Sequence, residues 1–170
     1  MYEELKMYDS VYKHLNNFIN KGETICGYVI MPNHIHLLIY HKEENGQLKN
    51  LVGNLKRFMA YDMVELYTQS GRTESLMQMT KGITDRDKKK KQLHRVFEDS
   101  FDVKRCYNDN FIQQKLNYIH NNPLNPRWNL ATRAADYKHS SARFYEKEVV
   151  MDYVIPLVHW QKKRWDEQDK

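Results

Sequence analysis

The sequence predicts an α+β domain in which one antiparallel β-hairpin packs with several helices, and three observations carry that reading. "ETICGYVI" and "HIHLLIYH", residues 23–30 and 34–41, are short runs rich in β-branched, aromatic and aliphatic residues, separated by a Pro-Asn turn signal. Residues 4–21 place Tyr8, Val11, Tyr12, Leu15, Phe18 and Ile19 at the three-and-four spacing of a helix. Leu48, Leu51, Val52, Leu55, Phe58, Met59, Met63 and Leu66 keep one apolar face through a second, longer helix that ends near Gln69.

Each element has a local reason. Gly22 sits where the C-cap of the first helix belongs. The polar stretch "HKEENGQ" reads as the loop after the hairpin, and Lys49, Lys56 and Arg57 lie off the apolar stripe of the long helix. Residues 70–91 contain Gly71, Gly82 and "DRDKKKK" with no clear period, so they read as a mobile, solvated basic connection. "HRVFEDSF", residues 94–101, reads as a further strand. "NDNFIQQKLNYIHNN" reads as a helix with Asn108 or Asp109 as N-cap and Pro123 just beyond its end. The remainder reads as a short loop, one helical segment and a packing tail, with no internal repeat and no linker.

Composition narrows the function classes. At 170 residues and 41% hydrophobic content the chain can bury a core as one compact domain. Its formal charge of +5 favours polyanionic partners. Two cysteines without CxxC spacing point away from a disulfide scaffold or a cysteine zinc site and towards a reducing setting. The amino terminus lacks the pattern of a signal peptide, and no apolar run approaches the ~20 residues that span a bilayer. The expectation is a soluble, cytoplasmic protein without membrane contact.

Two pairs of residues carry chemistry. Side chains at i and i+2 of a strand share a face, so His34 and His36 project together and can hold one divalent ion through two imidazoles. An isolated His-x-His is a weak pattern, because strand-end histidines can equally be hydrogen-bonded beside a turn set by Met31 and Pro32. In "KLNYIHNNP", Tyr118 and Asn122 are four residues apart and share a face of the helix's last turns. A tyrosine phenol, with a pKa of about 10, is a poor nucleophile at neutral pH unless a cation lowers the cost of its charge or polarises its electrophile. An ion held by His34, His36 and an oxygen of Asn122 would polarise a phosphate in that way. Attack on a DNA phosphodiester then gives a phosphotyrosine and a free hydroxyl without ATP, and no GxxxxGK[ST] occurs. The chain has twelve tyrosines, and helical tyrosines usually pack, so Tyr118 stands out because of the histidines.

In order along the chain, "YVIMPNHIHLL", "LKRFMA", "FIQQKLNYIHNNP" and "DYKHSSARFY" resemble the single-tyrosine HUH transposases, especially the REP-associated tyrosine transposase branch, from Glu23 to Tyr145. The resemblance implies a ferredoxin-like (RRM-like) antiparallel sheet packed with helices, with a transposase-like domain over residues 1–146 and a C-terminal packing tail over 147–170. It implies that His34, His36 and Asn122 bind Mg²⁺ or Mn²⁺ and that Tyr118 is the nucleophile that becomes joined to a 5′-phosphate. The implied partner is hairpin-containing single-stranded DNA, and a homodimer is left open. Lys56 and Arg57 are the candidate phosphate contacts, with Lys88, Lys89, Lys90 and Lys91 beside them. Relatives place a strand before the first helix, whereas this chain starts almost at that helix. The expected sheet therefore lacks its first strand, as in a truncated copy or one with a misassigned start, and has a bare edge with unpaired backbone groups.

Two other readings compete with the transposase-type enzyme. One is a catalytically inactive remnant that still binds single-stranded nucleic acid. The other is a small metalloprotein using the histidines structurally, which the absence of further His or Cys ligand spacing disfavours.

Overall fold

The structure, a computed structural model, describes residues 2–89, 91–98, 102–146 and 155–163. The chain is α+β: helix α1 (Tyr2–Ile19), strands β1 (Thr24–Ile30) and β2 (Ile35–Tyr40), then α2 (Leu48–Gln69), α3 (Thr73–Lys81), α4 (Asp85–Lys89), α5 (Asp109–Asn121) and α6 (Ala142–Tyr145). It divides into two compact units, Met1–Phe18 with Gly46–Val103 and Ile19–Asn45 with Lys104–Lys170. No helix among the described residues is long and apolar enough to cross a membrane.

In the first unit one carboxylate ties α1 to α2. Asp62 Oδ2 accepts from Ser10 Oγ at 2.9 Å and Lys13 Nζ at 3.1 Å, and lies 2.9 Å from His14 Nε2. Partial burial works against its charge, but these three partners hold the carboxyl below the usual carboxylate range. Residues 70–91 are not the irregular connection expected, because α3 and α4 occupy most of them. The reason is a reciprocal cap: Thr84 N and Oγ1 donate to Asp87 Oδ2 at 3.0 and 2.7 Å, while Asp87 N donates to Thr84 Oγ1 at 3.3 Å. Part of the lysine run therefore forms the last turn of a capped helix, where positive charge complements the exposed carbonyls. The strand expected over 94–101 is irregular over His94–Glu98, and the rest of it lies outside the described residues. The backbone there makes single tethers rather than a ladder, such as Arg95 N to Met79 O at 2.9 Å.

In the second unit the hairpin forms as expected, with β1 and β2 antiparallel and Val29 opposite His36. The register shifts between Ile25 and Gly27, a bulge at Cys26. Gly27 is required by the helix above it, since a Cβ there would meet Leu116 Cδ1 at 2.6 Å. That close approach lets α5 lie on the strand, with Leu116 at 1% exposure packed beside Cys26 and Trp160.

The β1 edge facing away from β2 is not bare. Ile30 N donates to His139 O at 2.8 Å, Ser141 N to Tyr28 O at 2.9 Å, and Val158 N to Ile25 O at 3.2 Å. Tyr137 Oη donates to Ile30 O at 2.8 Å and Tyr145 Oη to Cys26 O at 2.6 Å. Irregular chain and side-chain hydroxyls thus do the work of a neighbouring strand on that side. Among the described residues the sheet has two strands.

Ser141, fully buried, also joins β1 to α5. Its Oγ accepts from Tyr28 N at 2.8 Å, donates to Tyr28 O at 3.2 Å, and lies 2.9 Å from His120 Nε2. Burial pushes the His120 imidazole down to about 4, from an ordinary 6.5. Its folded form therefore stays neutral where its unfolded form begins to take up a proton. The contribution to stability is complete above pH 6.5 and is lost as pH falls towards 4. The cost over that window is on the order of 3 kcal/mol. Urea unfolding at stepped pH should show this loss in the wild type, and His120→Gln should flatten that part of the profile.

Candidate active site

β2 and the turn before it set the two histidines. Met31 N donates to His34 O at 2.8 Å, which closes the turn over Pro32 and Asn33 and leaves His34 one residue ahead of the strand. His36 follows on the same face, and the two rings meet edge to face with centroids 4.9 Å apart. The Nδ1 of His34 lies 2.5 Å from Asn33 Oδ1, an acceptor, and in the tautomer that donates to it the Nε2 lone pair is available to a cation. Trp128 packs on His34 with ring centroids 5.8 Å apart. Burial first, and then the neighbouring His34, keep the His36 imidazole below its ordinary pKa, so its neutral, metal-competent form is favoured.

α5 presents Tyr118 to this pair. Asn108 starts the helix by accepting from Phe111 N through its side chain at 2.8 Å. Leu116, Ile119 and His120 are the buried face that fixes the helix, and Ile119 packs with Val29 and Met31 under the hairpin turn. Tyr118 points the other way. Its ring lies edge to face with His36, centroids 5.4 Å apart and planes at 73°, and the residue is 58% exposed. A packing tyrosine would be covered, whereas this one touches His36 and remains exposed.

The remaining sequence candidates divide clearly. Asn122 follows as the C-cap residue of α5, and among the described residues no hydrogen bond joins its side chain to either histidine. Lys56, Arg57, Lys88, Lys89 and Lys91 belong to the other compact unit. There Lys56 Nζ donates to Glu98 O at 2.6 Å, Arg57 lies over the Phe58 ring, and Lys88 pairs with Asp85 at 3.1 Å. Lys90 lies outside the described residues. Asn33, Trp128, His120 and Ser141 were not singled out from sequence. Only Asn33, adjacent to His34, carried a local signal that could have found it.

No protein-family model, curated protein or solved structure matches this chain.

The Asn33 contact makes a direct prediction. Long-range proton–nitrogen NMR at neutral pH should find the His34 proton on Nδ1, and Asn33→Ala should give a mixture of tautomers. A His34 ring already protonated on Nε2 in the wild type would contradict the assignment.

Proposed function

We propose that the chain is a metal-dependent single-stranded DNA endonuclease and strand transferase of the single-tyrosine HUH kind, with Tyr118 as nucleophile. The observation that supports it most is an exposed tyrosine in ring contact with His36 of a His-x-His pair. The motif order quoted above supports it as well, and the proposal carries with it a ferredoxin-like ancestry for the hairpin and helices and a cytosolic setting. The basic residues Arg57, Lys89 and Lys91, all exposed, are the proposed phosphate contacts outside the site, and Lys56 contributes less because its ammonium is already bonded.

His34 and His36 would form part of a divalent-ion site, to which Asn122 is the third candidate donor. His34 offers Nε2, His36 is kept neutral, and the Asn122 amide follows one turn after Tyr118. Two imidazole nitrogens would suit Mn²⁺ better than Mg²⁺, which prefers oxygen shells. An ion held by His34 and His36 would supply positive charge at the scissile phosphate. The protein supplies the rest. The Tyr118 oxygen attacks phosphorus and the P–O3′ bond breaks. The phenol proton passes to solvent, with which Tyr118 is in contact, and the leaving oxygen becomes a 3′-hydroxyl. Rejoining is the reverse step with another 3′-hydroxyl as nucleophile. β2 holds the two rings, and the packed face of α5 holds Tyr118 against them, so orientation is set before substrate arrives.

Incubation of labelled hairpin-bearing single-stranded DNA with protein and Mn²⁺ should give an adduct that survives denaturant. Tyr118→Phe should abolish it, the double substitution His34→Ala with His36→Ala should reduce it by two orders of magnitude or more, and Mn²⁺ should outperform Mg²⁺. DNA binding without any adduct would favour the binding-only remnant.

A further inference from the structure

The face of α5 that carries Tyr118 carries more than Tyr118. On a 3.6-residue period Phe111, Lys115, Tyr118 and Asn122 fall on one stripe, turned away from the buried Leu116, Ile119 and His120. Just ahead of the N-cap, Tyr107 stacks on Phe111 with centroids 5.2 Å apart and planes within 10° of parallel. Lys115 Nζ sits 4.9 Å from the centre of the Phe111 ring. The stripe is therefore an alternation of flat rings and positive charge that ends at the proposed nucleophile.

Packing alone does not account for it. A hydrophobic residue before an N-cap commonly covers the first turn, and that role buries both partners. Tyr107 is 74% exposed, so the Tyr107–Phe111 stack is left with a ring face in water. An exposed tyrosine, a lysine poised over an aromatic ring and Arg105, exposed and two residues before Tyr107, match the chemistry of an unpaired nucleic-acid strand. The bases of such a strand offer free ring faces, which a duplex does not, and its phosphates offer negative charge. Phe111 and Tyr118 are seven residues apart, ~10 Å along the helix. A strand with its phosphate at Tyr118 thus passes Lys115 and reaches the aromatic stack within a few nucleotides.

We propose that this stripe is a single-stranded DNA track, in which an unpaired base stacks on Tyr107 and Phe111 while Lys115 neutralises a phosphate between that base and Tyr118. The inference rests on the reading of Tyr118 as the residue that meets the scissile phosphate, and it adds the subsite that seats the flanking nucleotides.

The test measures binding apart from cleavage, in full-length protein carrying Tyr118→Phe, with fluorescein-labelled oligothymidylate and a blunt duplex of the same length as probes. Tyr107→Ala with Phe111→Ala should weaken oligothymidylate at least about fivefold and leave the duplex unchanged. Tyr107→Phe should bind like the parent, and circular dichroism should show all variants equally folded. Lys115→Gln should lower the slope of log affinity against log salt by about 0.7. Unchanged oligothymidylate affinity in the double alanine variant, or an equal loss on the duplex, overturns the track. The two readings separate cleanly. Selective loss of single-strand binding, with no adduct from the otherwise identical protein that retains Tyr118, keeps the track and removes the nucleophile. An adduct from the protein that retains Tyr118, with unchanged binding in the double alanine variant, keeps the nucleophile and removes the track.

Discussion

The arrangement of the second unit depends on one buried hydroxyl. Ser141 Oγ meets the N–H and C=O of Tyr28 on β1 and the Nε2 of His120 on α5, with no exposure to water. All three contacts are satisfied at once when Nε2 carries the proton and the hydroxyl donates to the carbonyl. Removing that oxygen would leave a buried amide and a buried imidazole without partners, a penalty of about 1–3 kcal/mol for each. The same joint fixes where Tyr118 points, because it lies two residues before His120 on α5 while His36 faces Val29 across the hairpin.

Around this joint, β1 is held on both edges by different means. β2 supplies a regular ladder on one side, whereas the other side is met by Tyr137, His139, Ser141, Tyr145 and Val158. These are long-range contacts from the last third of the chain, and their hydroxyls bond to backbone carbonyls one at a time. Burial raises the Tyr145 phenol well above its ordinary pKa, so it remains a donor to Cys26 O at any working pH. The strand carrying the candidate site's support is thus secured by side chains whose positions depend on the fold having already closed. Gly27 belongs to the same design, since only a missing Cβ admits Leu116 at that distance.

What could be read from the sequence was what short-range physics dictates. The hairpin, the long α2 and the capped α5 were legible because alternation, a three-and-four period and the Asn108 cap act within a few residues. α3 was missed because the residues between Gly71 and Gly82 show no clear period, and α4 because the run of lysines looked like a solvated loop, although "TDRD" held the Thr84–Asp87 cap that makes a short helix worthwhile. Over His94–Glu98, the described part of the strand expected at 94–101, β-rich composition alone did not produce a strand. Within the site, His34, His36 and Tyr118 were legible from residue type and order. Trp128 and Ser141 were not, since each matters through a residue distant in sequence. Asn122 was placed one helical turn from Tyr118 as expected, yet helical spacing alone does not bring an amide to the histidines.

The account stands on the geometry in which a buried joint holds α5 so that Tyr118 meets His36. The most direct measurement is the ring-to-ring nuclear Overhauser effect between His36 and Tyr118 in solution, in the wild type and in Ser141→Ala. A clear effect in the wild type that weakens in a still-folded Ser141→Ala is the result this geometry predicts. A wild type with both rings assigned and no effect between them would contradict it.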